Sequence, residues 1–189
     1  MTAIATTELP TAPPGDVLYE VVDGQIVEME PMGTYHQIVV GFLFSRLENY
    51  VRKNRLGRAV VELLFDFTEQ LGRKRRPDLA FISEETWPRS RPIDESDGWQ
   101  VVPDLAVEIV SPSNSWNEIT GKMEEYFQVG SKQVWVICPA QFKVYVYGSP
   151  TSVSILQLGD SLTSETLLPG FSVTLHELFE TDGAGRRDA

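Results

Sequence analysis

The sequence predicts an α/β fold: a central mixed β-sheet flanked by two main helices, with an N-terminal β-hairpin. Three observations carry this. Segments 34–54 and 115–130 place apolar residues at helical spacing. Short β-branched and aromatic runs, bounded by Gly, Pro and Ser, lie between and after them. The stretch "VLYEVVDGQIVEME" (17–30) reads as two strands about Asp23-Gly24, a strong hairpin signal.

The elements follow in order. In "TYHQIVVGFLFSRLENYVRKN" (34–54), Ile38, Phe42, Leu47 and Val51 make one helical stripe, and Gly57 suits the stop. "RAVVELLFDFTE" (58–69) is a strand closed by Gly72, and "RPDLAFIS" (76–83) is another. Residues 84–101, with Pro, Ser, acids, Trp87 and Trp99, read as a long loop. "PDLAVEIV" (103–110) is a strand closed by Ser111-Pro112-Ser113. The second helix, 115–130, has Ser115 as N-cap, Glu118 three residues on and Gly130 at its end. "QVWVIC" (133–138), "KVYVYG" (143–148) and "SVSILQL" (152–158) are strands, and "LPGFSVTLHELFE" (168–180) is a strand with a helical turn.

At 189 residues the chain is expected to hold one domain over 16–181, between a disordered tail (1–15) and a frayed end (182–189). "MTAIATTELPTAPPG" lacks the basic start and apolar core of a secretory signal. No apolar run of about 18 residues predicts a membrane helix. The single cysteine, Cys138, sits in an apolar run, and a reducing cytoplasm fits it. Net charge is −11, yet 11 of the 16 Lys and Arg lie between Arg46 and Arg91, against seven acids in that span. Those cations make either a solvated face or a local surface for a polyanion.

Four cations in "RKRRPDLAFIS" (73–83) precede Asp78, and "VPDLAVEIVSPSNS" (102–115) carries Glu108. If strands 76–83 and 103–110 pair antiparallel, Asp78 and Glu108 become cross-strand neighbours. Alternation puts Leu79, Phe81, Leu105, Val107 and Ile109 in the core. Asp78, Ala80, Asp104, Ala106, Glu108 and Val110 then share the other face, which is expected to be open above the two acids. Adjacent carboxylates share a proton or bind a cation, and this pair suits Mg²⁺ (or Mn²⁺). By spacing alone the pair could equally be solvated.

The ordered set "RPDLAF", "VPDLAVEIVSPS", "GKMEEYFQVG" and "VWVICP" resembles the PD-(D/E)XK nuclease superfamily, within it the Uma-type restriction endonucleases. The likeness runs from "YEVVDGQIVEM" to "LPGFSVTLHELF". It implies a restriction-endonuclease-like fold and a Mg²⁺-dependent endonuclease acting on DNA. Asp78 stands for the PD aspartate and Glu108 for the (D/E)XK acid; both would hold the metal. Where the superfamily has Lys, two residues after Glu108, stands Val110. The resemblance assigns that role to Lys122 on the following helix, where Ile119, Lys122 and Tyr126 form one stripe. It also suggests an auxiliary place for His36 beside the metal. Arg75, Arg76 and Ser111 are the expected phosphate contacts, and a homodimer without membrane association is expected. The alternative, favoured by Val110, is an inactive nuclease fold serving as a DNA-binding or interaction module.

Overall fold

A computed structural model of the chain describes residues 12–15, 17–93, 98–112 and 114–180. Most of the expected N-terminal tail, the whole expected C-terminal end and Ser113 lie outside the described residues.

The hairpin forms as expected from β1 (Tyr19–Val22) and β2 (Gln25–Glu28). Asp23 and Gly24 both take positive φ, 52° and 75°, which a two-residue turn of the hairpin hand requires. Helix α1 (Thr34–Lys53) follows. The expected strand 58–69 is instead two strands in two sheets. β3 (Gly57–Val61) joins the central sheet, and Glu62, at φ 47°, turns the chain away. β4 (Phe65–Phe67) then enters a smaller sheet, followed by the short helix α2 (Thr68–Leu71). The cationic run is itself a strand, β5 (Arg73–Arg75), and lies between β1 and β4 in the order β2-β1-β5-β4.

β6 (Leu79–Ser83) and β7 (Leu105–Ile109) pair antiparallel, with Leu79 opposite Val107 and Ala80 opposite Ala106. Helix α3 (Trp116–Val129) crosses over to β8 (Gln133–Cys138), which pairs parallel to β7. A parallel pair needs such a crossover. β9 (Lys143–Ser149) and β10 (Ser152–Leu156) complete a mixed sheet of order β10-β9-β8-β7-β6-β3. β11 (Ser161–Ser164), absent from the sequence reading, pairs with β12 (Leu168–Thr174), and α4 (Leu175–Leu178) closes the described chain.

The two main helices cover opposite faces of the six-stranded sheet. Val39, Leu43, Leu47 and Val51 of α1 pack with Leu79, Phe81, Leu105, Val107 and Ile109. Ile119, Met123 and Tyr126 of α3 pack with Ala80, Ile82, Ala106, Val134 and Val136. The cross-strand alanines leave room for α3 to settle close to the sheet. Its start is held by a reciprocal cap: Ser115 Oγ accepts from the Glu118 N–H (3.2 Å), and Glu118 Oε2 accepts from the Ser115 N–H (2.8 Å). A cap of this kind contributes about 1 kcal/mol.

Candidate active site

Extending the β6–β7 register by one residue sets Asp78 against Glu108. Asp78 Oδ2 accepts a hydrogen bond from the Ile109 N–H (2.6 Å), which fastens the start of β6 to the end of β7. Its Oδ1 lies 3.1 Å from His36 Nε2, brought there by the first turn of α1. Among the described residues, neither His36 ring nitrogen has a hydrogen-bond partner of good geometry, and both nitrogens are buried.

Glu108 is engaged from α3. Tyr126 donates its hydroxyl to Oε1 (2.6 Å), and Lys122 Nζ stands 3.4 Å from Oε2. Lys122 is closer still to Glu20 on β1, with Nζ 2.9 Å from Oε1. Glu20 Oε2 in turn accepts from Arg75 (2.8 Å), and its Oε1 also accepts from the Arg76 N–H (2.9 Å). Arg75 donates twice to Glu125 of α3, at 2.6 and 2.9 Å.

The face carrying these acids is closed, contrary to expectation. Glu20, Asp78 and Glu108 are only 5, 7 and 4% exposed, because α3 lies over the strand face that seemed open. Burial has electrostatic consequences. It pushes the Glu108 carboxyl up to about 7; Lys122 pulls against this, and the Asp78 and Glu20 carboxylates add to it. For Glu20 burial also works upward, but Lys122 and Arg75 outweigh it and hold that carboxyl below its usual range. Burial would lower Lys122; Glu108 and Glu20 reverse this and raise it. The ammonium is therefore firmly charged, Glu20 is its ionised partner, and Glu108 takes a proton more readily than an ordinary carboxylate.

A buried pair of carboxylates beside a lysine and an under-bonded imidazole has the chemistry to hold a cation. A family model described as "Putative restriction endonuclease", Uma2, matches residues 7–176. The chain belongs to the Uma2 family. A crystal structure of a protein from Anabaena variabilis, described as "a putative nuclease belonging to DUF820", has the same fold. The two superpose with a TM-score of 0.78 at 20% identity, over 89% of this chain and 93% of that one. No curated protein matches the chain.

Of the residues singled out in this Uma2 sequence, Asp78, Glu108, Lys122 and His36 are brought to one place. Arg75 and Arg76 are nearby, and Arg75 is turned inward. Arg75 is 6% exposed and spent on Glu20 and Glu125, so its guanidinium does not face a substrate. Arg76 donates to the Tyr19 and Glu62 carbonyls. The Arg75 guanidinium is thus engaged inside the protein, whereas Arg76 is only half-buried. Ser111 lies beyond β7, with its N–H and hydroxyl directed to Asn114 Oδ1 at 2.9 and 2.8 Å. Glu118, the surface partner that Lys122 could have had one turn away, is occupied by the Ser115 cap. Glu20 and Tyr126 are the site residues that sequence reasoning passed over. The available signal for Glu20 was a carboxylate inside the apolar run "VLYEVV".

Among the described residues, no three His, Cys, Asp or Glu side chains stand together as a ready metal-ligand cluster. The fit of a divalent cation rests instead on chemistry at the Asp78–Glu108 pair. Two carboxylates of like charge, one of them pushed up to about 7, are favoured by a hard cation with oxygen ligands. The buried, under-bonded His36 beside Asp78 is a further group that such an ion or its waters would satisfy.

Proposed function

We propose that this protein is a divalent-metal-dependent endonuclease that hydrolyses phosphodiester bonds in DNA, with Mg²⁺ or Mn²⁺ as cofactor. Asp78 and Glu108 are the residues to hold the ion. The ion they would hold would supply polarisation of a phosphoryl oxygen and a more acidic water. Lys122, at the edge of the pair, orients the attacking water and offsets the negative charge that develops on phosphate. Tyr126 fixes the Glu108 carboxylate through its second oxygen, and His36 steadies Asp78. Ser111, just past the end of β7, is the candidate donor to phosphate. A single domain over 16–181 and a cytoplasmic location, in keeping with the lone buried Cys138, complete the reading.

The observation that carries the reading is the position of Lys122. An ammonium reaches Glu108 from α3, where the superfamily pattern would have brought it from β7, and so restores the acid–acid–lysine set that the sequence alone lacks. The alternative is an inactive nuclease fold that binds DNA or another partner, and the closed face over the acids favours it. Supercoiled plasmid incubated with Mg²⁺ or Mn²⁺, beside an Asp78→Ala control, separates the two. Nicking by wild type and none by the variant is expected. Intact plasmid under both metals overturns the endonuclease reading.

A further inference from the structure

We infer that Glu20 is the positioning residue for Lys122, and that it is required because this lysine comes from a helix. A lysine two residues after Glu108 would leave β7 on the same face and be aimed by the strand itself. That position is Val110, packed into the apolar cluster beneath α3. Lys122 arrives instead on a long flexible stem, and its ammonium must be held from a second side. Glu20 supplies that side. Its oxygen is closer to Nζ than that of Glu108, 2.9 against 3.4 Å. Glu20 is itself immobilised by Arg75 and the Arg76 N–H. Arg75 is clasped by Glu125, which stands one helical turn from Lys122 on α3. The ion pairs therefore close a ring, Lys122 to Glu20 to Arg75 to Glu125 and back to the same helix. That ring locks the small sheet to α3 and leaves the ammonium one place to be.

Only the kinetic arm of the test rests on the nuclease reading. Glu20→Gln should lower kcat for plasmid nicking by about 10- to 100-fold, as loss of other orienting partners does, with KM for DNA little changed. When the lysine is moved to the strand, in Val110→Lys/Lys122→Ala, the same change should cost less than about threefold. An equal loss in both backgrounds makes Glu20 a structural or metal-binding residue and overturns the inference. The second arm needs no activity: the ¹⁵N-labelled side-chain ammonium of Lys122, assigned with Lys122→Arg, should be visible in wild type and exchange-broadened in Glu20→Gln. An unchanged ammonium signal overturns the inference; absence of nicking by wild type sinks the nuclease reading alone, and the spectrum still decides Glu20.

A separate observation carries a second proposal. The run Val144–Gly159 holds no charged residue, although the chain has net charge −11. It contains β10, the terminal strand of the six-stranded sheet, with Val153 and Ile155 exposed by 43 and 56%. These two lie in register with Tyr147 and Tyr145, and Trp116 meets the Tyr145 ring at 5.2 Å. An uncharged, apolar sheet edge is a template for strand addition. We propose that its occupant is β10 of a second copy, paired antiparallel about Ser154. That register sets Val153 against Ile155 of the second copy, an apolar pair made twice, and lets two strongly acidic chains meet where neither is charged. β7 is three strands in from β10, so the two Glu108 side chains stand seven strand spacings apart, about 33 Å, and neither copy completes the other's site. Sedimentation equilibrium at micromolar concentration should give a dimer for wild type and a monomer for Val153→Lys/Ile155→Lys, with Tm within a few degrees. A monomeric wild type, or a variant that stays dimeric, overturns the proposal.

Discussion

The tetrapeptide Pro-Asp-Leu-Ala occurs twice, at 77–80 and 103–106, and opens two strands that pair antiparallel. A local two-fold relates them. Asp78 Oδ2 accepts from the Ile109 N–H at 2.6 Å, and Asp104 Oδ2 accepts from the Ser83 N–H at 2.7 Å. Each aspartate thus fastens the start of its own strand to the end of its neighbour. They part company at the second oxygen. Asp104 Oδ1 meets Lys132 at 2.8 Å; burial would raise that carboxyl, but Lys132 and the Ser83 N–H outweigh it and hold it below its usual range. Asp78 Oδ1 meets a histidine, and its cross-strand neighbour is a second acid rather than Ile82. One end of the strand pair is electrostatically complete, and the other is left with negative charge to spare. Identical local sequence therefore yields a rivet at one end and a candidate reaction centre at the other, and the surroundings alone decide which.

That contrast can be broken by exchanging what is measured. Asp78→Asn keeps an acceptor for the Ile109 N–H and removes the charge, so cleavage should fall by about 10³-fold or more while Tm hardly moves. A cleavage rate within tenfold of wild type would make Asp78 a second rivet. Asp104→Ala should do the opposite. It removes the acceptor of the half-buried Ser83 N–H and the partner of Lys132, and urea titration should show a loss of about 1–2 kcal/mol. Cleavage per folded molecule should be retained.

The surplus charge should also appear in the pH dependence of the metal-free protein. Glu108 binds its proton more tightly folded, at about 7, than at its ordinary 4.5. Its contribution to stability is therefore present below about 4.5 and is lost as pH rises through 7. Glu108→Gln should remove that loss and stabilise the metal-free protein at pH 8 by up to about 3 kcal/mol. Denaturation curves of the two proteins that run parallel from pH 4 to 8 would show that the pair carries no strain. The smallest effect belongs to Lys132, whose side chain is half exposed. Lys132→Met should cost less than about 1 kcal/mol at neutral pH, because solvent screens a pair so placed. As Asp104 is held below its ordinary value, that cost should persist through the ordinary carboxylate range and shrink only as pH falls below it.

What could be read from the sequence was local or followed from strand period. The Asp23-Gly24 turn, the Ser115–Glu118 cap and the inward set Leu79, Phe81, Leu105, Val107 and Ile109 need only neighbours along the chain or an alternation of two. The juxtaposition of Asp78 and Glu108 needed one assumption, the antiparallel pairing, and the register supplies it. Arg75 illustrates what could not be read. A cation beside an aspartate in an acidic chain suggests a surface for phosphate, yet its partners lie 55 residues upstream on β1 and 50 downstream on α3. Nothing in the cationic run itself encodes that β5 would sit between β1 and β4. The closed face has the same origin: small alanines at 80 and 106 read as room above the acids, whereas they are the seat of α3.

Chain order also gives the site a history during folding. Asp78 and Glu108 meet as soon as β6 and β7 pair, across 30 residues, but Glu20 and Lys122 are 102 residues apart. Contacts of such separation are entropically the most costly to close. A partly folded chain can hold both acids side by side while the ammonium still swings free on an undocked helix. In such a chain the proposed site is incomplete, and it is assembled only once the first strand and the crossover helix have found each other.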